Sequence, residues 1–178
     1  MEDFRKKVLS FTLRRNFERL PPMDSPAQSL DDAARALLTA AMEATASAPN
    51  EASLRHELEN ALEEACREIR ATWTPFRLDL TLPTSDPRRK RFAAVAHGAV
   101  IIEYEPPRSL SGSERSVAHA KSQAEEYARL LCLEEGRRVS DYQTVIWDGS
   151  HIAFGEAQNG RAHWSSLTGF SMAGAKRL

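Results

Sequence analysis

The segment from Ile101 to Pro107 constrains the fold of this chain more than any other stretch. Its apolar, β-branched start and its two closing prolines predict a short buried strand rather than a helix. Because side chains alternate along a strand, Glu103 and Glu105 should project from one face and Tyr104 from the other. Two neighbouring carboxylates at the end of a strand are costly to bury unless water, a cation or a metal ion compensates them.

This pair of glutamates has two interpretations. The first is an edge strand with one solvated face, on which acidic residues are ordinary. The second is a binding site for a divalent metal ion. The metal site is favoured because Pro106 and Pro107 end the strand directly after the second glutamate, and sites in α/β sheets gather at strand ends. The pattern alone leaves both interpretations open.

The same segment resembles the core of the PD-(D/E)XK nuclease superfamily. The resembling residues are Ile-Ile-Glu-Tyr-Glu-Pro-Pro at 101–107, followed by a polar segment and a helix that carries Gln123 and Tyr127. Between about Ser53 and Trp164 the chain is similar to the nuclease domain at the amino end of large bacterial restriction-modification type proteins. The resemblance implies an α/β fold with a restriction-endonuclease-like central mixed sheet flanked by helices, preceded here by an N-terminal helical region.

The resemblance also implies a metal site for phosphodiester hydrolysis. In that superfamily an acid on an early helix, an aspartate on one strand and an acidic pair on the next strand bind magnesium. The metal ligands implied here are Glu57, Glu103 and Glu105. The implied catalytic set adds Gln123 and Lys121 on the following helix, since Glu105 stands where many relatives carry a lysine. Mg²⁺ is the implied cofactor and Mn²⁺ its substitute, because both ions accept oxygen ligands.

One position departs from the superfamily pattern. An aspartate is expected about nine residues before the first strand glutamate, and this chain has Ala93 and Ala94 in that region. We place the missing metal-binding residue, and hence a catalytic position, at Ala94. Either the domain is naturally degenerate or an Asp-to-Ala change was introduced. We favour the introduced change because the remaining motif is intact, and the native gene at codon 94 decides between them.

Three helices after residue 25 are predicted from apolar periodicity and from capping residues, with Ser29 and Ser113 as N-caps, Ser116 as an alternative to Ser113, and Gly136 as a helix end. On the second helix Glu57 lies on or beside the apolar stripe, whereas Glu59 looks outward. Glu57 is therefore the inward acid that the resemblance requires, and Glu64 is the second choice. Taken by itself, Glu57 is also consistent with a snorkelling residue at the edge of the stripe. The predicted ranges are 29–46, 51–71 and 114–135.

Arg88, Arg89, Lys90 and Arg91 form the densest positive charge in the chain. A charge run is usually a solvated loop, but beside a metal site it would bind the phosphate backbone of DNA. A basic amphipathic helix predicted near residues 4–19 has the same two interpretations. Because the formal net charge is only −1, any contact with nucleic acid must come from such local patches.

Strands are predicted over 76–82, 142–147, 151–156 and 161–164, with Asp148-Gly149 as a hairpin turn. The order strand, helix, strand, hairpin is typical of an α/β core whose helix crosses over the sheet. At 178 residues and 42% hydrophobic content the chain is long and apolar enough for one such core. We divide it into an N-terminal helical region (1–50), a nuclease core (51–165) and a C-terminal tail (166–178) at the boundary of a longer protein.

We therefore expect a Mg²⁺-dependent endonuclease domain that hydrolyses DNA in restriction or phage defence and is inactivated by alanine at position 94. DNA is the expected partner, together with methyltransferase or helicase domains of the same longer protein, and a homodimer stays open. Two alternatives also stay open. The first is a catalytically dead domain that binds nucleic acid, and the second is a protein-interaction module of a larger modification enzyme.

Other classes of protein are disfavoured by composition and motifs. The chain has no P-loop, no dinucleotide-binding glycine motif and no G-x-S-x-G, which argues against nucleotide hydrolysis, dinucleotide redox chemistry and serine hydrolysis. Cys66 and Cys132 lack metal-ligand spacing and are typical of buried thiols in a cytosolic protein. No apolar run is long enough to span a bilayer, so we expect a cytoplasmic location and no membrane partner.

Overall fold

A mixed α/β fold with an open six-stranded sheet accounts for the described residues of this computed structural model, which are 26–74, 95–158 and 161–178. Short 3-10 turns lie at Leu110–Gly112 and Val139–Asp141. The helices and strands are, in chain order, α1 (Pro26–Ser47), α2 (Glu51–Glu68), β1 (Val95–His97), β2 (Val100–Tyr104), α3 (Glu114–Glu135), β3 (Gln143–Trp147), β4 (His151–Gln158), β5 (Arg161–Trp164), β6 (Thr168–Gly169) and α4 (Met172–Arg177).

Strand β2 lies in the interior of the sheet. It pairs antiparallel with β1 and parallel with β3, and the sheet continues through β4 to β5, with β6 also beside β4. A parallel pair needs a crossover connection, which α3 supplies. The predicted crossover helix is therefore confirmed. The alternative of an edge strand with a solvated face is wrong, because β2 has a neighbour on each side and Glu103 is only 1% exposed.

Helices cover both faces of β2. On one face Ile101 packs with Tyr127 and Leu131 of α3. On the other face Ile102 and Tyr104 belong to the core that the sheet forms with α1 and α2. This alternation agrees with the predicted faces of the strand. Each large apolar side chain buried in this way contributes about 1.5–3 kcal/mol to folding.

Helix α3 has the ends that the sequence predicts. The side-chain oxygen of Ser113 accepts hydrogen bonds from the N–H groups of Arg115 and Ser116, and Gly136 ends the helix with a φ of 66°. Cys132, near its end, is a buried free thiol as predicted, whereas Cys66 on α2 is half-buried. Among the described residues, every helix is too short or too polar to cross a membrane.

Helices α1 and α2 follow the predicted periodicity but not all of the predicted ends. Because α1 begins at Pro26, the N-cap prediction for Ser29 is wrong, and the Ser29 hydroxyl instead donates to the carbonyl of Glu68 at 3.3 Å. Helix α2 is capped by Asn50, whose side-chain oxygen accepts from the N–H of Ser53 at 2.9 Å. The helix predicted near residues 4–19 and the strand predicted over 76–82 lie outside the described residues.

One buried core joins segments from all three predicted regions. Ala41 of α1, Leu54 of α2, Ile102 of β2 and Ala175 of α4 belong to the same apolar cluster. The predicted helical region and the predicted tail therefore both complete the core of the sheet. Within the described residues, positions 50 and 165 do not separate independently packed units.

The turn between β3 and β4 lies directly against α1, and this contact gives a testable prediction. Gly149 has a φ of +83°, and a Cβ added there would overlap the Oγ1 of Thr45. We expect Gly149→Ala to lower the free energy of unfolding by about 2–4 kcal/mol, since left-handed strain and overpacking add. Gly136→Ala is the control, because its φ is +66° but its Cβ would meet no atom within 4 Å. Urea unfolding that gives equal losses for both variants would contradict this account.

Candidate acidic site

Glu103 is the buried centre of an acidic site near the carboxyl ends of β2 and β3. Its side chain is 1% exposed, and its Oε2 atom has no hydrogen-bond partner among the described residues. Burial raises the pKa of Glu103 to about 9, and the charges of Glu105 and Glu51 add to this effect. At pH 7 Glu103 is therefore a neutral carboxylic acid.

Glu105 follows β2 directly and stays paired with β3, because its N–H donates to the carbonyl of Trp147 at 3.0 Å. Its side chain is half-buried. Burial is the largest cause that raises the pKa of Glu105 to about 7, followed by the charges of Glu51 and Asp148. Neighbouring carboxyl groups that share a buried site are difficult to ionise together, so the pair favours either a bound proton or a bound cation.

The helix acid within electrostatic reach of this pair is Glu51. It lies in the first turn of α2, and its charge raises the pKa of both Glu103 and Glu105. Burial raises the pKa of Glu51 itself, an effect that Arg55 opposes. The sequence predicts position 51 only as the start of α2, a place where the helix dipole favours an acid.

The inward orientation predicted for Glu57 is wrong. Glu57 is exposed, and so is Glu64, whose carboxylate pairs with Arg67 of the same helix. Glu59, predicted to look outward, instead has a side chain that is only 13% exposed, with its Oε1 atom 3.6 Å from the Nε of Arg55. Glu57 therefore lies outside the face of α2 that covers the sheet.

Glu51, Arg55 and Glu59 are four residues apart and so lie on one face of α2. Burial raises the pKa of the Tyr104 hydroxyl well above its usual value, the charge of Glu59 raises it further, and Arg55 opposes the rise. Tyr104 lies between the two strand glutamates in sequence but projects from the opposite face of β2. This charged face of α2 therefore lies on the Tyr104 side of the strand, near its carboxyl end.

Asp148 connects the loops that follow β2 and β3. Its side chain is completely buried. The Oδ1 atom accepts from the N–H groups of Ser150 at 2.9 Å and His151 at 2.6 Å, and the Oδ2 atom accepts from the N–H of Leu110 at 2.9 Å. Since backbone donors occupy both of its oxygens, Asp148 is a structural acid rather than a further ligand.

Two of the remaining predicted site residues, Gln123 and Lys121, lie on α3. Gln123 is half-buried on α3. The Nζ of Lys121 lies 5.4 Å from the ring centroid of Trp164 on β5, a cation–π distance. A role for either residue beside the acids stays a prediction. Ala94 and the basic segment 88–91 lie outside the described residues.

The chemistry of Glu51, Glu103 and Glu105 fits a hard divalent cation. Carboxylate oxygens are the ligands that Mg²⁺ prefers, and the Oε2 of Glu103 is buried without a hydrogen bond from any described residue. Within 26–74, 95–158 and 161–178, however, no three His, Cys, Asp or Glu side chains are arranged to hold a metal ion. The acids are therefore electrostatic neighbours rather than a preassembled coordination sphere.

Comparison with protein-family models, with curated proteins and with solved structures gave no match. The structure itself describes a mixed α/β domain in which Glu103 and Glu105, near the ends of two parallel strands, both have pKa values raised by the charge of Glu51.

Proposed function

We propose that this chain is a metal-dependent endonuclease domain that hydrolyses DNA in restriction or phage defence, and that alanine at position 94 lowers its activity. The observation that carries the proposal is Glu103, a fully buried carboxyl group with one oxygen unpartnered among the described residues. Strongly perturbed carboxyl groups concentrate at functional sites, because burying them without a use lowers stability. The order of β1, β2, crossover α3 and parallel β3 supports the fold that the sequence resemblance implies.

Glu51, Glu103 and Glu105 would hold Mg²⁺ or Mn²⁺, together with an aspartate in place of Ala94. Such an ion, when bound, polarises a phosphate and lowers the pKa of a bound water. The protein's own residues prepare the site. The layers on both faces of β2 keep Glu103 out of bulk water, and the bond from Glu105 N–H to Trp147 fixes the end of the strand. Glu103 must release its proton before both of its oxygens can serve as ligands.

The proposal assigns the DNA backbone to Arg88, Arg89, Lys90 and Arg91, which carry enough positive charge to hold several phosphates. Target choice would then belong to other parts of a longer cytoplasmic protein, such as a methyltransferase or helicase segment. Phosphate contacts position a protein on DNA but do not read its sequence. Binding to DNA should therefore weaken with salt and depend little on base sequence.

Ala94→Asp tests the proposal directly. We expect the variant to cut supercoiled plasmid in Mg²⁺ at least about tenfold faster than the parent chain, because it restores one carboxylate to the ligand set. Ala94→Asn is the matched control of similar size without the charge, and it should stay at the parent rate. Glu103→Gln combined with Ala94→Asp should lose this gain and cut no faster than the parent chain.

A folded Ala94→Asp variant that leaves plasmid intact in both Mg²⁺ and Mn²⁺ would refute the endonuclease proposal. DNA binding without any metal requirement would then support the catalytically dead binding domain. A chain that binds neither metal nor DNA would support the protein-interaction module.

A further inference from the structure

We infer that Asp148 is a positioning residue for the acidic site, which fixes the loop after β2 so that Glu105 is held beside Glu103. The inference rests on the proposed function and adds a residue outside the metal-binding set. The Asp148-Gly149 pair is typical of a β-hairpin turn, which by itself would account for the aspartate. The carboxylate does more than a hairpin requires, because one of its oxygens bonds to a different loop.

The hydrogen bonds of Asp148 fall into two groups. On the turn side, Oδ1 accepts from the N–H of Ser150 at 2.9 Å, from its hydroxyl at 3.1 Å and from the N–H of His151 at 2.6 Å. These bonds are the local ones by which an aspartate stabilises its own turn. On the other side, Oδ2 accepts from the N–H of Leu110 at 2.9 Å, across a separation of 38 residues. That bond serves the loop after β2 rather than the hairpin.

The loop from Glu105 to Leu110 depends on the end of β3 for its anchoring. The N–H of Glu105 donates to the carbonyl of Trp147 at 3.0 Å, and the N–H of Arg108 donates to the carbonyl of Asp148 at 3.4 Å. Arg108 has a left-handed φ of 62°, which is unfavourable for a residue other than glycine. With two prolines in the loop that cannot donate, the bond from Leu110 to Asp148 is a principal restraint on it.

Leu110 completes the connection on the other side of the loop. It is 1% exposed and packs in an apolar cluster with Ala120 of α3 and Ile146 of β3. Ile146 is the register partner of Glu103 in the parallel pair. Asp148 thus links the loop that begins at Glu105 to an apolar cluster that includes the strand neighbour of Glu103.

Asp148→Asn is the first test, on the full chain. Asparagine keeps one oxygen for the turn but presents an N–H₂ group towards the N–H of Leu110, so only the loop side loses its acceptor. We expect amide hydrogen exchange in residues 105–110 to accelerate at least about tenfold. Titrated with Mn²⁺ alone, the variant should bind at least about tenfold more weakly than the parent.

Thr144→Val is the matched control. It removes another buried side-chain hydrogen bond of β3, from Thr144 Oγ1 to the carbonyl of Gly155 at 3.1 Å, near the opposite end of the strand. It should lower stability without changing exchange in 105–110 or the affinity for Mn²⁺. This control separates a positioning role from general destabilisation.

Two results would overturn the inference: unchanged exchange of residues 105–110 in Asp148→Asn, or faster exchange with undiminished Mn²⁺ affinity. A different result would refute the proposed function. In that case neither the parent chain nor the Ala94→Asp variant, both with Asp148 intact, would bind Mn²⁺. The exchange data would then decide alone whether Asp148 holds the loop.

Discussion

Glu103→Gln should make the protein more stable at alkaline pH, although it removes the central residue of the candidate site. The pKa of Glu103 is about 9 in the folded protein, against an ordinary value of 4.5. Between these values the folded state binds more protons than the unfolded state, so the stability of the parent falls as pH rises through this range. Glutamine resembles the protonated acid without this penalty and should raise the free energy of unfolding at pH 8 by up to about 5 kcal/mol.

Urea unfolding of both chains at several pH values measures this difference. The two stabilities should converge below the ordinary pKa of a glutamate, where Glu103 is protonated in both states. Because the pKa of Glu105 is also raised, to about 7, some pH dependence should remain in the variant. Glu57→Gln, at an exposed position of α2, should follow the parent. A Glu103→Gln variant that loses stability in parallel with the parent would show that Glu103 ionises normally.

Glu51→Gln should weaken the binding of Mn²⁺ by about a hundredfold, whereas Glu57→Gln should change it by less than about twofold. The charge of Glu51 acts on both strand glutamates, but Glu57 is exposed on another face of the same helix. The two variants make the same chemical change within two turns of α2, so each controls for the other. This comparison identifies which acid the helix contributes.

Calorimetric titration with Mn²⁺ at constant pH measures both affinities. Rates of plasmid cleavage in the Ala94→Asp background should fall in the same order, because a ligand lost from the free protein is lost from the working site as well. The reverse order, with Glu57→Gln the weaker binder, would restore the sequence-based assignment. Equal affinities for both variants would remove α2 from the site.

Helix α3 and strand β2 could be predicted because their signals are local. Ser113 caps α3 and Gly136 ends it with a positive φ, and both residue types favour those positions in most contexts. The β-branched run of β2 likewise predicts its own strand. Whether Glu103 is solvated or buried is not local, since it depends on the layers that cover β2 from distant parts of the chain.

The choice of Glu57 shows where periodicity needs an angular test. At about 100° per residue, Leu54, Leu58 and Leu62 centre the buried stripe of α2 within about 20° of Glu51 and about 100° from Glu57. These angular separations can be calculated from residue spacing alone. Glu51 lies in the first turn of α2, where the helix dipole favours an acid whether or not a site is nearby.

Asp148 could not be assigned its second role from the sequence. Its turn signal is local and correct, but the bond to Leu110 joins residues 38 positions apart. No spacing rule relates an aspartate after one strand to a backbone N–H after another. Only the parallel pairing of β2 with β3 brings these loops to the same end of the sheet.

The crossover between β2 and β3 also sets when the acids can meet during synthesis. Glu51 and Glu103 are made before α3, whereas the loop that anchors Glu105 waits for Asp148, beyond the crossover. Contacts between residues so distant in sequence form only after the intervening chain has been translated and docked. A nascent chain that ends before β3 therefore contains the carboxyl groups but lacks the anchored loop. The site can form only late in folding, after Asp148 has been synthesised.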